Sequence, residues 1–512
     1  MAALARLRAW ELNPVVVKEL RQAVRSWAVT GMLLLFLAVL FFTMLGMLVG
    51  YSVMAGGSLA GVSGGRQALG RDIVQVFLPI LTFMSLLFIP LYVAVRLAAE
   101  RSEHNVDLLY ITTLSPARII RGKLMCGIYL TVLFFSVCMP FLVFTNLLRG
   151  VDLPTIFIAL SAVFLADVLA IQAAIFLACL PATRGFKILI ALPVIGFGIS
   201  CVVGLTGMSF FMLQSGVGSR LGSWSFWGDA LTAVLLGGLT FGLLHVASIA
   251  MISPASSNRT MPVRVYITAS WFIGGATALG WFIVKGWIDP IEAWMAITMV
   301  FVVLMLLLGV SEGDERSVRV ARAIPTHPAR RWIAFFFYNG SAGGLAWATL
   351  LGAVTLGFMW LLSEWFNDRS ITPATVVMPL DFLQSSTAVF AYTLAYCLAG
   401  LFLHRRFFPQ RGPMMAGLLA MLVPALWAVL PNLALFFMNK LTWDTLQQRQ
   451  LGSVFNVFAL KDTAHLSHHL AFSLCFALLM AAVNVPWFLK QVRAFKTYVR
   501  PENPAPPPLP VK

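Results

Sequence analysis

Apolar residues fall along this chain in long unbroken runs. They show neither the i, i+3, i+4 spacing of a soluble amphipathic helix nor the alternation of a half-buried strand. The runs lie near 28–50, 74–96, 124–146, 156–180, 187–213, 228–252, 265–285, 291–311, 342–362, 384–403, 413–438 and 467–489. Each holds roughly 18 to 27 residues, enough for a helix to cross about 30 Å of hydrocarbon. The pattern predicts an all-α, polytopic transmembrane protein of about twelve spans. The run 187–213 is the weakest helix former, because Gly196, Gly198, Gly204 and Gly207 interrupt it. The first run, about 23 residues long, exceeds the apolar region of a secretory signal and is expected to remain as a span.

Composition agrees with the pattern. Of 512 residues, 60% are hydrophobic and 11% charged, and the mean hydropathy is +0.87. So little charge cannot cover a soluble core of that size, which excludes soluble, disordered and disulfide-scaffold classes. The six cysteines, Cys126, Cys138, Cys179, Cys201, Cys397 and Cys475, all lie inside apolar runs without a CxxC pair. They read as small packing residues.

The net charge of +16 comes from 36 Lys+Arg against 20 Asp+Glu. Numbering the segments between spans alternately sorts these charges. One set comprises the N-terminus, 97–123 with Arg96 at its edge, 181–187, 253–264, 312–341, 404–412 and the C-terminus. It holds 27 of the 36 basic residues, leaving nine to the other set. That bias predicts both termini in the cytoplasm. The charge is a fringe facing anionic membrane lipids rather than the footprint of a nucleic acid, which is not expected as a partner. Residues 501–512 are Pro-rich and read as an extended tail.

The basic segments also carry the candidate chemistry. Asn13 and Pro14 form a helix start, N-cap followed by Pro at the first turn. After them, Val16, Leu20, Val24 and Trp27 share one face, and Lys18, Arg21 and Arg25 another. The segment 1–27 is therefore expected to hold an amphipathic helix lying in the membrane interface. Loop 97–123 runs from Glu100 and Arg101 through Asp107, Leu108, Leu109, Tyr110 and Thr112 to Ser115-Pro116, a second helix start, then Ile119, Gly122 and Lys123. It is longer than a connection between two spans requires.

This loop resembles the signature of ABC-2 type transporter permeases, the membrane subunits of ATP-binding cassette exporters. In them a Glu-Arg-Glu-x-Gly-Thr-Leu-Glu-x-Leu-Leu run precedes Thr-Pro-Leu-Ser and Ile-x-x-Gly-Lys. The chain agrees at Glu100, Arg101, Leu108, Leu109, Thr112, Leu114, Ser115, Ile119, Gly122 and Lys123, with Asp107 for a Glu, and departs at Ser102, His104 and Thr113. The Asn13-Pro14 to Arg25 stretch is similar to the family's N-terminal start, so the resemblance covers roughly residues 10–250. It implies a six-helix core of the ABC-2, type V exporter kind in 28–252, with a coupling helix in loop 97–123 that docks on an ATPase subunit. Glu100, Arg101, Asp107 and Thr112 would supply polar contacts there, and Leu108 and Leu109 apolar anchors. It further implies export across a bacterial cytoplasmic membrane.

A phosphate-cradling loop needs Gly-x4-Gly-Lys-Ser/Thr. Gly122-Lys123 is followed by Leu124 and preceded by Ala117 at the first Gly position. The chain is thus expected to be no enzyme and to hold no cofactor; ATP and Mg²⁺ would belong to the partner. Residues 253–490 carry six further runs, with a long basic loop at 312–341 that mirrors 97–123 in position only. Either this half completes one pathway, as a 6+6 duplication, or the permease pairs as a homodimer or heterodimer.

Inside the spans, Asp167 is expected to face protein or water, since a charged group at mid-bilayer costs about 2.5–3.5 kcal/mol on insertion scales. Asp167 and His245 are candidate pathway residues, and the alternative function is an ion- or proton-coupled secondary transporter. His465, His468 and His469 have one-face spacing, but only Asp462 is near them, so no metal site is assigned. Gly46/Gly50 and Gly238/Gly242 are candidate close-packing pairs.

Overall fold

A computed structural model describes residues 14–54, 63–102, 115–148, 150–180, 195–196, 198–208, 210–211, 220–254, 256–368, 380–442, 450–459 and 463–498. Among these residues all regular structure is helical. Eleven helices are long and apolar enough to cross a membrane, so the protein is a multi-pass helical membrane protein. The expected run 187–213 lies partly outside the described residues. What is described of it is a short apolar helix, Gly198–Met208. The chain divides into two compact units, Met1–Pro254 and Ala255–Lys512.

In the first unit, α1 (Pro14–Val24) precedes α2 (Trp27–Met54). Then α3 (Ser63–Phe83) runs through a π-helical turn, Met84–Phe88, into α4 (Ile89–Ser102). The other helices are α5 (Pro116–Leu147), α6 (Leu153–Cys179), the short α7 (Gly198–Met208) and α8 (Trp224–Ile252). Sequence sets their starts. Asp152 caps α6, accepting from Thr155 N and Thr155 Oγ1 at 3.3 and 2.7 Å. Ser115 precedes α5 with extended backbone and Pro116 in the first turn; its hydroxyl makes no capping bond. Phe36, Phe77, Leu81, Ile89, Phe134, Ile171 and Ile175 form the core. The ring of Phe134 lies 5.3 Å from that of Phe36 and 6.0 Å from that of Phe88.

The second unit comprises α9 (Thr260–Lys285), α10 (Asp289–Val310), α11 (Val318–Arg322), α12 (Pro328–Phe337), α13 (Ser341–Asp368) and α14 (Leu380–Phe407). It ends with α15 (Met414–Phe437), α16 (Val454–Ala459) and α17 (Thr463–Ala494). Its centre is α14, whose Tyr392, Ala388, Ala395 and Cys397 are fully buried and which packs on α17 and α15.

Close helix approach occurs elsewhere than at the expected glycine pairs. Gly46, Gly50 and Gly238 are exposed, and a Cβ on any of them would meet nothing within 4 Å. They face outward, where a small residue brings no helix closer. Gly150, after α5, instead lies against the backbone of Gly70 and Arg71 at the start of the second span. Gly150→Val should therefore destabilise by the ~1–3 kcal/mol of an overpacked site, seen as a lower melting temperature in detergent. Gly46→Ala should stay within about 0.5 kcal/mol of wild type. Equal effects of the two would contradict this packing.

Candidate functional site

The first unit carries a chain of charges centred on a buried lysine. Lys123 is 2% exposed, near the start of α5, between Ile119, Ile120 and Leu124, which are also buried. Its Nζ donates to Glu19 Oε1 of α1 at 2.7 Å and pairs with Glu100 Oε2 of α4 at 2.7 Å. Lys18 Nζ stands 3.5 Å from Glu100 Oε1, so the group holds two positive and two negative charges. Arg96 donates to Gln22 beside it. Taking an ammonium out of water costs several kcal/mol, and two short charge-assisted bonds offset it. The result ties α1, the end of the second span and the start of the third.

This arrangement revises the expected faces of α1. Val16, Glu19 and Ala23 are buried, and α1 packs on α5. Val24 and Trp27 are 75% and 90% exposed, on a surface suited to lipid rather than to the bundle. Lys18, Arg21 and Arg25 are exposed, as a basic face should be. Pro14 opens the helix, and Asn13 lies outside the described residues. Of the coupling loop, Glu100 is described in full and is held by Lys123 and Lys18, about a third exposed. Arg101 continues α4. Asp107, Leu108, Leu109 and Thr112 lie outside the described residues. Sequence reasoning missed Glu19 and the burial of Lys123. The available signal was a charged residue in phase with apolar ones: Glu19 with Val16 and Ala23, Lys123 with Ile119 and Ile120.

A second polar group lies deep between α6 and α8. His245 Nδ1 contacts Gln172 Oε1 at 3.2 Å; Gln172 Nε2 donates to Ser248 Oγ at 3.1 Å, and Ser248 Oγ donates to the Leu244 carbonyl at 2.6 Å. With that amide orientation, His245 must donate from Nδ1. The His245 ring also stacks on Phe241, with centroids 5.9 Å apart. Asp167, five residues before Gln172 on α6, is fully buried, and neither of its oxygens has a hydrogen-bond partner. The two candidate pathway residues lie on helices that pack together, α6 and α8, and are not hydrogen-bonded to each other.

The second unit has a charged rim of its own. Arg264 of α9 donates to both oxygens of Glu312 at 2.6 Å and to the carbonyls of Phe336 and Tyr338 at 3.0 and 2.7 Å. Glu312 Oε2 accepts from Gly340 N at 3.0 Å. Asp314 accepts from Ser341 Oγ at 2.7 Å and from Gln491 Nε2 at 3.0 Å. Burial pulls the Arg316 guanidinium below its ordinary pKa, while Asp314 works against the shift. Segment 312–341 is therefore folded onto the bundle, with Phe335 and Tyr338 packed against Phe495. His469 is buried, and its Nδ1 lies 3.2 Å from Tyr392 Oη. Among the described residues no group of three or more His, Cys, Asp or Glu is gathered as a metal site would need.

No protein-family model matches the chain, and neither a curated protein nor a solved structure is similar to it. The rim of the first unit makes one stability prediction. Lys123→Met strips the counter-ion from buried Glu19 and should cost the ~3–5 kcal/mol of a broken buried pair, read as thermal unfolding in detergent. A loss of only ~0–1 kcal/mol would give the pair the weight of an exposed one.

Proposed function

We propose that the chain is the membrane permease subunit of an ATP-binding cassette exporter of the ABC-2 type, in a bacterial cytoplasmic membrane. Its motor is a P-loop ATPase on another chain. The observation that carries this reading is the charge chain Glu19–Lys123–Glu100–Lys18. Glu100 and Lys123 flank in sequence the segment 103–114, which belongs to the stretch that resembles the family's coupling element. A push on that loop by a partner would reach the second span through Glu100, the third through Lys123 and the interfacial helix through Glu19. The basic face of α1 and the positive bias of this side suit a cytoplasmic rim beside anionic lipid.

A second reading, an ion- or proton-coupled secondary transporter, is favoured by the unpartnered Asp167 carboxyl. The two readings part on the motor. Purified in mild detergent, the tagged chain should bring down a protein that hydrolyses ATP, and Leu109→Asp should lose it while still inserting in the membrane. Absence of any ATPase across several detergents, or its retention by Leu109→Asp, would overturn the exporter reading.

A further inference from the structure

In the second unit, α9 and α13 both pack on α10. They are tied to each other by indole–hydroxyl bonds. Trp347 Nε1 donates to Thr268 Oγ1 at 3.0 Å, and Trp271 Nε1 to Thr355 Oγ1 at 2.9 Å. The three helices leave between them a cavity of about 240 Å³. Trp271, Gly275 and Leu279 of α9, Ile291 and Trp294 of α10 and Phe358 of α13 line it. Phe272, Ala276 and Val354, also in the lining, are exposed. They lie within spans, so the mouth of the cavity opens to the bilayer.

The lining has no hydrogen bond to offer. The indole N–H of Trp271 is spent on Thr355, and that of Trp294 donates to the Trp271 carbonyl at 3.0 Å. The other lining side chains are apolar. Packing holds the Trp294 ring, with its centroid 5.7 Å from that of Trp271 and 6.2 Å from that of Phe358. Gly275 makes room for it, since a Cβ there would come within 2.9 Å of the ring. An occupant that fits is therefore apolar over this stretch. A dry apolar cavity of about 150 Å³ takes benzene, so this one takes a larger apolar group. Trp271 and Leu279 stand about 12 Å apart along α9, at 1.5 Å per residue. A lining drawn out along the helix suits a linear chain better than a compact ring. A helix from a second copy, about 10–12 Å across with its side chains, is too thick for it.

The charges at the end of α9 suggest what the chain hangs from. Lys285 Nζ lies 4.2 and 4.5 Å from the ring centroids of Trp281 and Trp287, which stack 6.4 Å apart. Tryptophans of this kind sit at the headgroup level. Lys285 follows Ala278, another lining residue, at i+7 and so shares its stripe of α9. Leu279 is about 9 Å along the helix from Lys285. An acyl chain reaching about 15 Å down one leaflet passes Leu279 and enters the cavity. An ammonium carries three donors, and one is enough for a phosphate oxygen. Asp289 and Glu292, in the first turn of α10, place negative charge at the same end. A headgroup bearing both signs complements that end better than an anionic one.

We propose that the cavity between α9, α10 and α13 binds one acyl chain of a zwitterionic phospholipid whose phosphate meets Lys285. The inference rests on neither reading of function, so the motor experiment and this one fail separately.

Photo-crosslinking of the full chain in lipid nanodiscs tests it. The probe is phosphatidylcholine with a diazirine midway along one acyl chain, a minor fraction of the bilayer, and labelled peptides are mapped by mass spectrometry. Labelling of the wild type should concentrate at residues 272–279 and 354–358. Ala276→Phe, which fills the mouth, should lower it there to the level of the lipid-facing residues of α15. Lys285→Glu should do the same, whereas Lys285→Arg should keep it. The matching phosphatidylglycerol probe should label the cavity less. The two sites of substitution are separate, so the test stands should one variant not fold. Uniform labelling of all the spans would overturn the proposal, as would cavity labelling that survives Ala276→Phe. So would labelling that survives Lys285→Glu or is equal for the two headgroups.

Discussion

A lysine ammonium withdrawn from solvent has to be answered by carboxylates, and in the first unit that requirement decides how three elements meet. Lys123 has no water to fall back on, so Glu19 and Glu100 must stand within 2.7 Å of it. Glu19 can do so only if α1 lies across α5, which exposes Val24 and Trp27 and turns Lys18, Arg21 and Arg25 outward. Glu100 can do so only if α4 stays helical as far as that residue, as it does over Ile89–Ser102. The positions of α1, the end of α4 and the start of α5 follow from one charge.

Charge carries this weight because apolar contact carries less in a membrane than in water. Lipid tails are as apolar as Leu and Phe, so burying Phe36 or Phe134 gains packing but little from leaving the solvent. Specific polar bonds and tight backbone approaches then select one arrangement of helices. The second unit uses the same device at its own rim. Arg264, Glu312, Gly340 and Ser341 join the start of its first span, the end of its second and the start of its third.

Much of the fold was legible in the sequence because a membrane span is a property of composition over roughly twenty residues. Spans such as 228–252 and 413–438 could be placed within a few residues of Trp224–Ile252 and Met414–Phe437. The site was less legible, for a physical reason. A run of apolar residues states that a helix is buried in lipid or protein but not which side meets which. Gly46 and Gly50 therefore suggested packing they do not perform, while Gly70 and Gly150, near turns, suggested none. Lys18 and Glu19 are neighbours in sequence, and only the helix they dock against makes one an exposed fringe charge and the other a buried anchor. Asp167 was legible as a residue out of place in a span.

The central claim, that Lys123 joins α1 to the bundle through Glu19, is most directly tested by a double-mutant cycle of Glu19→Gln and Lys123→Met on thermal unfolding. The account predicts strong coupling, of the order of 0.5–3 kcal/mol, with the double variant much less destabilised than the sum of the two single ones. Additivity of the two substitutions would contradict it.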